Sequence, residues 1–146
     1  MMAIYRQANK ITSEEAAYIA GLIDGEGTIS LSRKHRVDNR QLVVSISNTE
    51  RNLLNYVIET VGAGLITTKR TSRANHTPSF TYSISNRQAL DLLKQITPYL
   101  KSYKSGRATL VIDNYVRLTP RNGRYTSNQI EEREAFIHQF LCLRSK

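Results

Sequence analysis

The sequence holds one cysteine, three prolines, no tryptophan and only 12 acidic residues in a chain of 146. A lone cysteine excludes a disulfide framework and any cysteine-rich zinc site, and it fits a reducing compartment. No run of about 18 apolar residues occurs, so no membrane span is expected. The opening MMAIYRQANKITSEE lacks the apolar segment of a secretory signal. An intracellular, non-secreted location is therefore expected, in the cytoplasm, the nucleoid or an organelle matrix. What remains suits an ordinary core. Hydrophobic residues make up 40% of the chain, and one domain over residues 1–146 is the expectation at this length. A chain of this size buries roughly 68–70% of its unfolded surface, so it needs no covalent staple.

The scarcity of acid has a pattern. Lys and Arg number 21, which leaves a formal charge of +9. Residues 27–48 carry Arg33, Lys34, Arg36 and Arg40 against Asp38. Residues 64–87 carry Lys69, Arg70, Arg73 and Arg87 with no acid. Residues 101–124 carry Lys101, Lys104, Arg107, Arg117, Arg121 and Arg124 against Asp113. Basic stretches without compensating acids point to a polyanionic partner.

Thr12-x-x-Glu15 reads as a capping box, with Ser13 as a rival cap, and opens a helix over about 13–24. Small residues fall at Ala17, Gly21 and Gly25, a spacing that allows close approach of another backbone. That backbone is either a second helix or this chain's own sheet. Gly21 costs ~1 kcal/mol inside a helix relative to Ala, so a compensating contact is expected. From Thr28 the period becomes two. Thr28, Ser30, Ser32, Lys34 and Arg36 alternate with Ile29 and Leu31. After a connection near Val37–Arg40, Gln41, Ser45 and Ser47 alternate with Leu42, Val44 and Ile46. A helix opened by Thr49 ends at Gly62-Ala63-Gly64.

The pattern then repeats. A strand is expected from Leu65 to Thr71, a turn-rich loop over Ser72–Pro78, and a strand in which Phe80, Tyr82 and Ile84 alternate with Thr81, Ser83 and Ser85. Asn86 is placed as the cap of a helix stopped near Pro98. Another helix is expected over Gly106–Arg117, a break at Thr119–Gly123, and a last helix over about 128–143. On that last helix His138 and Cys142 share a face; two residues make no metal site, and packing is expected for them. The fold class is α+β, with two hairpins in one antiparallel four-stranded sheet and helices on one face. The other face then carries Thr28, Ser30, Ser32, Lys34, Arg36, Gln41, Ser45, Ser47, Thr67, Lys69, Thr71, Thr81, Ser83 and Ser85, without an acid. Polar side chains on a β-ribbon can read the major groove of duplex DNA.

The nonapeptide Ile19-Ala20-Gly21-Leu22-Ile23-Asp24-Gly25-Glu26-Gly27 resembles the signature of the LAGLIDADG homing endonucleases. The departures are Ile for the first Leu, Gly for the second Ala and Glu for the second acid. The αββαββα order, the Gly62-Ala63-Gly64 helix end and Pro98-Tyr99-Leu100-Lys101 extend the resemblance over about residues 13–118. One copy of the motif is present. The resemblance implies a homodimer with motif helices packed at a two-fold axis through Ala17, Ala20, Gly21, Asp24 and Gly25, on a saddle-shaped sheet. It implies a site-specific, intron-encoded type of DNA endonuclease that makes a double-strand break by metal-dependent hydrolysis. An RNA-binding intron maturase, or a non-cleaving DNA-binding protein of the same fold, is the alternative. No splicing-type Cys or Ser stands at the chain's boundaries, which disfavours an intein.

The resemblance also assigns roles. Glu26, expected just past the helix end, becomes a ligand for Mg²⁺ or another divalent cation such as Mn²⁺, with the Gly25 carbonyl beside it. A carboxylate at the negative end of a helix, close to a symmetry-related copy, calls for a cation. Such a metal activates water in phosphodiester hydrolysis. Asp24 is either a ligand or a structural acid bonded to backbone. Asn48, at the end of the second strand, is placed to position water. A helper lysine is Lys104 or Lys101, with Arg51 as a further candidate. The DNA surface comprises the polar sheet face together with Arg33, His35, Arg40, Arg70, Arg73, Lys101 and Arg107. His76 is a loop residue outside any His-Asn-His nuclease pattern.

Overall fold

A computed structural model of the protein describes residues 6–69, 77–120 and 124–145. The elements in chain order are α1 (Ser13–Glu26), β1 (Gly27–Ser32), β2 (Gln41–Asn48), α2 (Arg51–Val61), β3 (Leu65–Lys69) and β4 (Ser79–Ser85). They continue with α3 (Asn86–Ile96), a 3₁₀ turn (Thr97–Tyr99), α4 (Lys104–Leu118) and α5 (Ser127–Cys142). The four strands form one antiparallel sheet in the order β1-β2-β4-β3. The two hairpins therefore meet through their second strands.

Thr12, not Ser13, caps α1. Its hydroxyl accepts from the Glu15 N–H while the Glu15 carboxylate accepts from the Thr12 N–H. Ala16, Ile19, Ala20 and Ile23 turn α1 into the core, against the inward side chains Ile29, Leu31, Leu42, Val44 and Ile46. Gly62 ends α2 in the left-handed region at φ 72°. Gly64, at φ 105°, lies where a Cβ would stand 2.6 Å from the Tyr82 ring. Tyr82 is fully buried and donates from its hydroxyl to the Ala63 carbonyl at 2.8 Å. This contact ties the αβ turn to the middle of β4.

Several boundaries differ from expectation. β1 stops at Ser32 rather than running to Arg36. Inward positions beyond Ser32 hold Arg33 and His35, which offer no apolar surface to bury, and Val37 lies exposed in the loop. α1 continues through Glu26, so Glu26 is its last residue. Asn86 does not cap α3. It takes φ 55° as that helix's first residue, and its side-chain oxygen accepts from the Tyr115 hydroxyl at 2.9 Å. β3 ends at Lys69; Arg70, Thr71, Arg73 and His76 lie outside the described residues. α5 covers 127–142, close to the range expected, and packs on α4. Among the described residues no helix is long and apolar enough to cross a membrane.

Candidate active site and nucleic-acid interface

α1 delivers two acids, Asp24 and Glu26, to its C-terminal turn, and the fold gives them different partners. The Asp24 carboxylate accepts the backbone N–H groups of Lys101 at 2.7 Å and Ser102 at 3.1 Å, and the Ser102 hydroxyl at 2.5 Å. Burial raises its pKa, but these hydrogen bonds and the Lys104 charge outweigh burial and hold it below the ordinary aspartate value. Although the motif groups Asp24 with the dimer stripe, its carboxylate is committed inside its own chain. It fixes the segment that leads into α4.

Glu26 is exposed, and its carboxylate accepts from the Asn48 side-chain amide. The Asn48 side-chain oxygen in turn accepts from the Glu50 N–H at 2.7 Å, which fixes the amide's orientation. The sheet makes this meeting, because Gly27 pairs with Ile46 and brings the starts of β1 and the end of β2 together. No basic residue stands in the last turn of α1, and the helix dipole there is negative.

Lys104 approaches the same turn from α4. Only 7% exposed, it donates from Nζ to the carbonyls of Ile23 at 2.7 Å and Asp24 at 2.9 Å. Desolvation lowers its pKa, Asp24 opposes that, and Arg107 adds to it; the net direction is down. Of the two candidate lysines, Lys104 reaches the helix end through its side chain. Lys101 is exposed and reaches Asp24 through its backbone. Arg51 is exposed at the start of α2, over the Phe80 ring at 5.1 Å.

An oxygen-donor set suits a hard cation such as Mg²⁺. Glu26 at the negative end of a helix fits one, with the Gly25 carbonyl as its neighbour in sequence. Yet no group of three His, Cys, Asp or Glu side chains gathers among the described residues. His138 and Cys142, expected to pack, are both exposed on α5, 3.8 Å apart.

Of the small residues on α1, Ala17, Gly21 and Gly25 are exposed, and a Cβ at either glycine would meet nothing within 4 Å. They do not pack on this chain's sheet. Ala20 does not belong with them, because it is fully buried in its own core. Tyr18 flanks the stripe and meets Tyr56 of α2 edge-on at 5.3 Å.

The sheet face opposite the helices is polar as expected. Thr28, Ser32, Gln41, Ser47, Thr67 and Ser85 are exposed, and Ser30, Ser45, Thr81 and Ser83 half-buried. Lys69 takes the register position opposite Ser79. Arg33, Lys34, His35 and Arg36 are exposed in the β1–β2 loop, not in a strand. Arg40 turns back to donate to the Leu31 carbonyl at 3.0 Å. Arg107 departs furthest from expectation. It donates to the carbonyls of Leu143 at 2.5 Å and Ile29 at 2.8 Å, and stacks on Tyr103 and Phe140. It ties α4 to β1 and the end of α5 rather than facing a ligand. Sequence reasoning missed Arg133, which is buried and donates to the carbonyls of Leu118 and Arg40.

The profile of the LAGLIDADG endonuclease family matches residues 19–110, from the motif into α4. The chain belongs to this family. The homing endonuclease I-CvuI, solved with its DNA target in the presence of Ca, shares 18% identity at a TM-score of 0.74, over 92% of this chain and 84% of that one. An archaeal intron-encoded homing endonuclease complexed with DNA shares 17% identity at a TM-score of 0.62, over 91% and 86%. I-SmaMI, a LAGLIDADG homing endonuclease bound to cleaved DNA, shares 18% at 0.64; there this chain aligns over 97% of its own length but 49% of the other. No curated protein matches the chain. The LAGLIDADG membership and the four-stranded α+β fold agree with the motif and the element order read from sequence.

Proposed function

We propose that this LAGLIDADG chain is a homodimeric, site-specific endonuclease that makes a double-strand break in duplex DNA with a divalent cation, Mg²⁺ as the first choice. The observation that carries this reading is the Glu26–Asn48 pair. It is an exposed, oriented carboxylate at the edge of a polar sheet face whose strand residues include no acid.

The dimer is supported by the Ala17–Gly21–Gly25 stripe, which is exposed on a lone chain with open space at both glycines. A two-fold axis through the stripe brings two Glu26 carboxylates together. The half-length alignment to I-SmaMI is consistent with a working unit twice this size.

In this reading Glu26, with the Gly25 carbonyl, holds the cation. When bound, such a cation supplies Lewis acidity at a phosphate and lowers the pKa of a bound water. Asn48 keeps the Glu26 carboxylate in one orientation, as hydrogen-bonded partners of metal ligands do. Lys104 neutralises the carbonyl end of α1, and Asp24 locks that end to α4. The sheet face reads base edges in the major groove, while the exposed loop cations Lys34 and Arg36 meet phosphates. Each subunit covers about one helical turn, so the site is near-palindromic over ~20 bp.

The deciding experiment joins the genomic flanks of the coding sequence into one duplex and incubates it with the purified chain and Mg²⁺. Cleavage on both strands is expected. Glu26→Gln should lose cleavage and keep binding; a fully active variant overturns the role of Glu26.

A further inference from the structure

The polar face of the sheet is interrupted by two apolar side chains that its alternation does not require. Val43 shares the outward parity of Gln41, Ser45 and Ser47 on β2, and pairs with Ser30 on one side and Ser85 on the other. Leu65, at the start of β3, pairs with Ser83 and is 53% exposed. Neither belongs to the hydrophobic core. Both line one concavity of about 720 Å³, together with Ser83, Ser85, Arg33, Lys34 and Gln41. One acid lines it, Asp38, and that carboxylate accepts the His35 N–H at 3.1 Å.

A large exposed leucine on an otherwise hydroxyl-rich sheet face costs solubility and adds nothing to the core. In the major groove, however, one base carries an apolar group. Thymine presents a C5-methyl where cytosine presents a hydrogen, and apolar side chains contact it. The basic lining residues suit the phosphates on either side of such a groove. Resting on the DNA-endonuclease reading above, we propose that Val43 and Leu65 are specificity-determining residues that read thymine methyl groups within each half-site.

The register places the reading position. Val43 lies level with Ser30, three residues along β1 from Gly27. At about 3.4 Å per strand residue this is about 10 Å from the Glu26 end, close to three base steps. The thymine read by Val43 is therefore interior to the half-site, whereas Leu65, level with Thr28 through Ser83 and Ser45, reads a position nearer the Glu26 end. The Ser30 hydroxyl beside Val43 is already donated to the Val43 carbonyl at 3.3 Å.

The test uses the full chain and a pool of duplexes randomised over 24 bp, with Ca²⁺ in place of Mg²⁺ so that retention is read. Bound duplexes should converge on a site with thymine at an interior position of each half. Deoxyuridine replaces that thymine without changing any hydrogen-bonding group. Wild-type binding should then weaken about fourfold per half-site, the worth of one buried methyl. In Val43→Ser and Leu65→Asn, each at the thymine it reads, the ratio of uridine to thymidine affinity should rise from about one quarter towards one. Equal binding of the two duplexes by the wild type, or an unchanged ratio in both variants, overturns the proposal while leaving the endonuclease reading intact. Retention of no duplex by the wild type overturns both.

Discussion

The side-chain amide of Asn48 donates to the carboxylate of Glu26 while its oxygen accepts the Glu50 N–H. The two residues lie 22 positions apart, one closing a helix and the other closing a strand. Because both ends of the amide are engaged, the carboxylate is oriented before any ligand arrives.

Asn48→Ala should therefore lower cleavage by about 10- to 100-fold, the usual effect of removing an orienting partner from a metal ligand. The loss should appear as a higher Mg²⁺ requirement, with DNA affinity in Ca²⁺ little changed. A Mg²⁺ titration of the cleavage rate, beside a binding titration, checks it.

The Asp24 lock carries a pH signature. Its carboxyl titrates below the ordinary value of about 3.9 in the folded chain. The unfolded chain thus binds the proton first. The stability that Asp24 contributes is complete above its unfolded pKa and is lost as the pH falls through the depressed folded value. Asp24→Asn should be less stable at neutral pH, and the gap to wild type should close below about pH 4. Urea unfolding at a series of pH values measures this.

Gly21→Val separates the chain from its assembly. The site is open on a lone chain, and glycine is the poorer helix former by several tenths of a kcal/mol. Thermal stability at low concentration should hold or rise, while dimer and double-strand cleavage are lost. Sedimentation and a plasmid assay that separates nicked from linear product give the two readouts.

Arg107 and Lys34 should respond in opposite ways. Arg107→Met removes two charged hydrogen bonds inside the fold, so stability should fall by about 2 kcal/mol. The salt slope of DNA binding should stay the same. Lys34→Gln, in an exposed loop, should leave stability unchanged and reduce that slope by about 1. Denaturant curves and binding isotherms over a range of NaCl concentrations distinguish the two.

Much of this architecture is legible in the chain because it rests on local chemistry. The Thr12–Glu15 box opens α1 where the spacing says it should. Alternation marks the inward residues of β1, β2 and β4. Gly62 ends α2 with the positive φ that glycine tolerates. The departures come where a residue's fate depends on distant partners. Arg107 looks like one more surface cation until Phe140 and the Leu143 carbonyl arrive from α5. Asn86 looks like a cap until Tyr115 claims its side chain. Arg133 gives no local sign of burial, because the carbonyls it serves belong to Leu118 and Arg40.

The sequence by itself determined the family, the order of the elements, the polar and apolar faces of the strands, and the small-residue stripe on α1. Each depends on spacing within a few residues, and spacing is written in the chain. The tertiary structure decided that Asp24 is tied to the Lys101–Ser102 segment while Glu26 stays exposed beside Asn48, and which lysine reaches the helix end. It also decided which arginines support the fold and which remain at the surface. Those outcomes turn on groups 15 to 93 residues apart in the chain, which only the assembled sheet and its helices bring together.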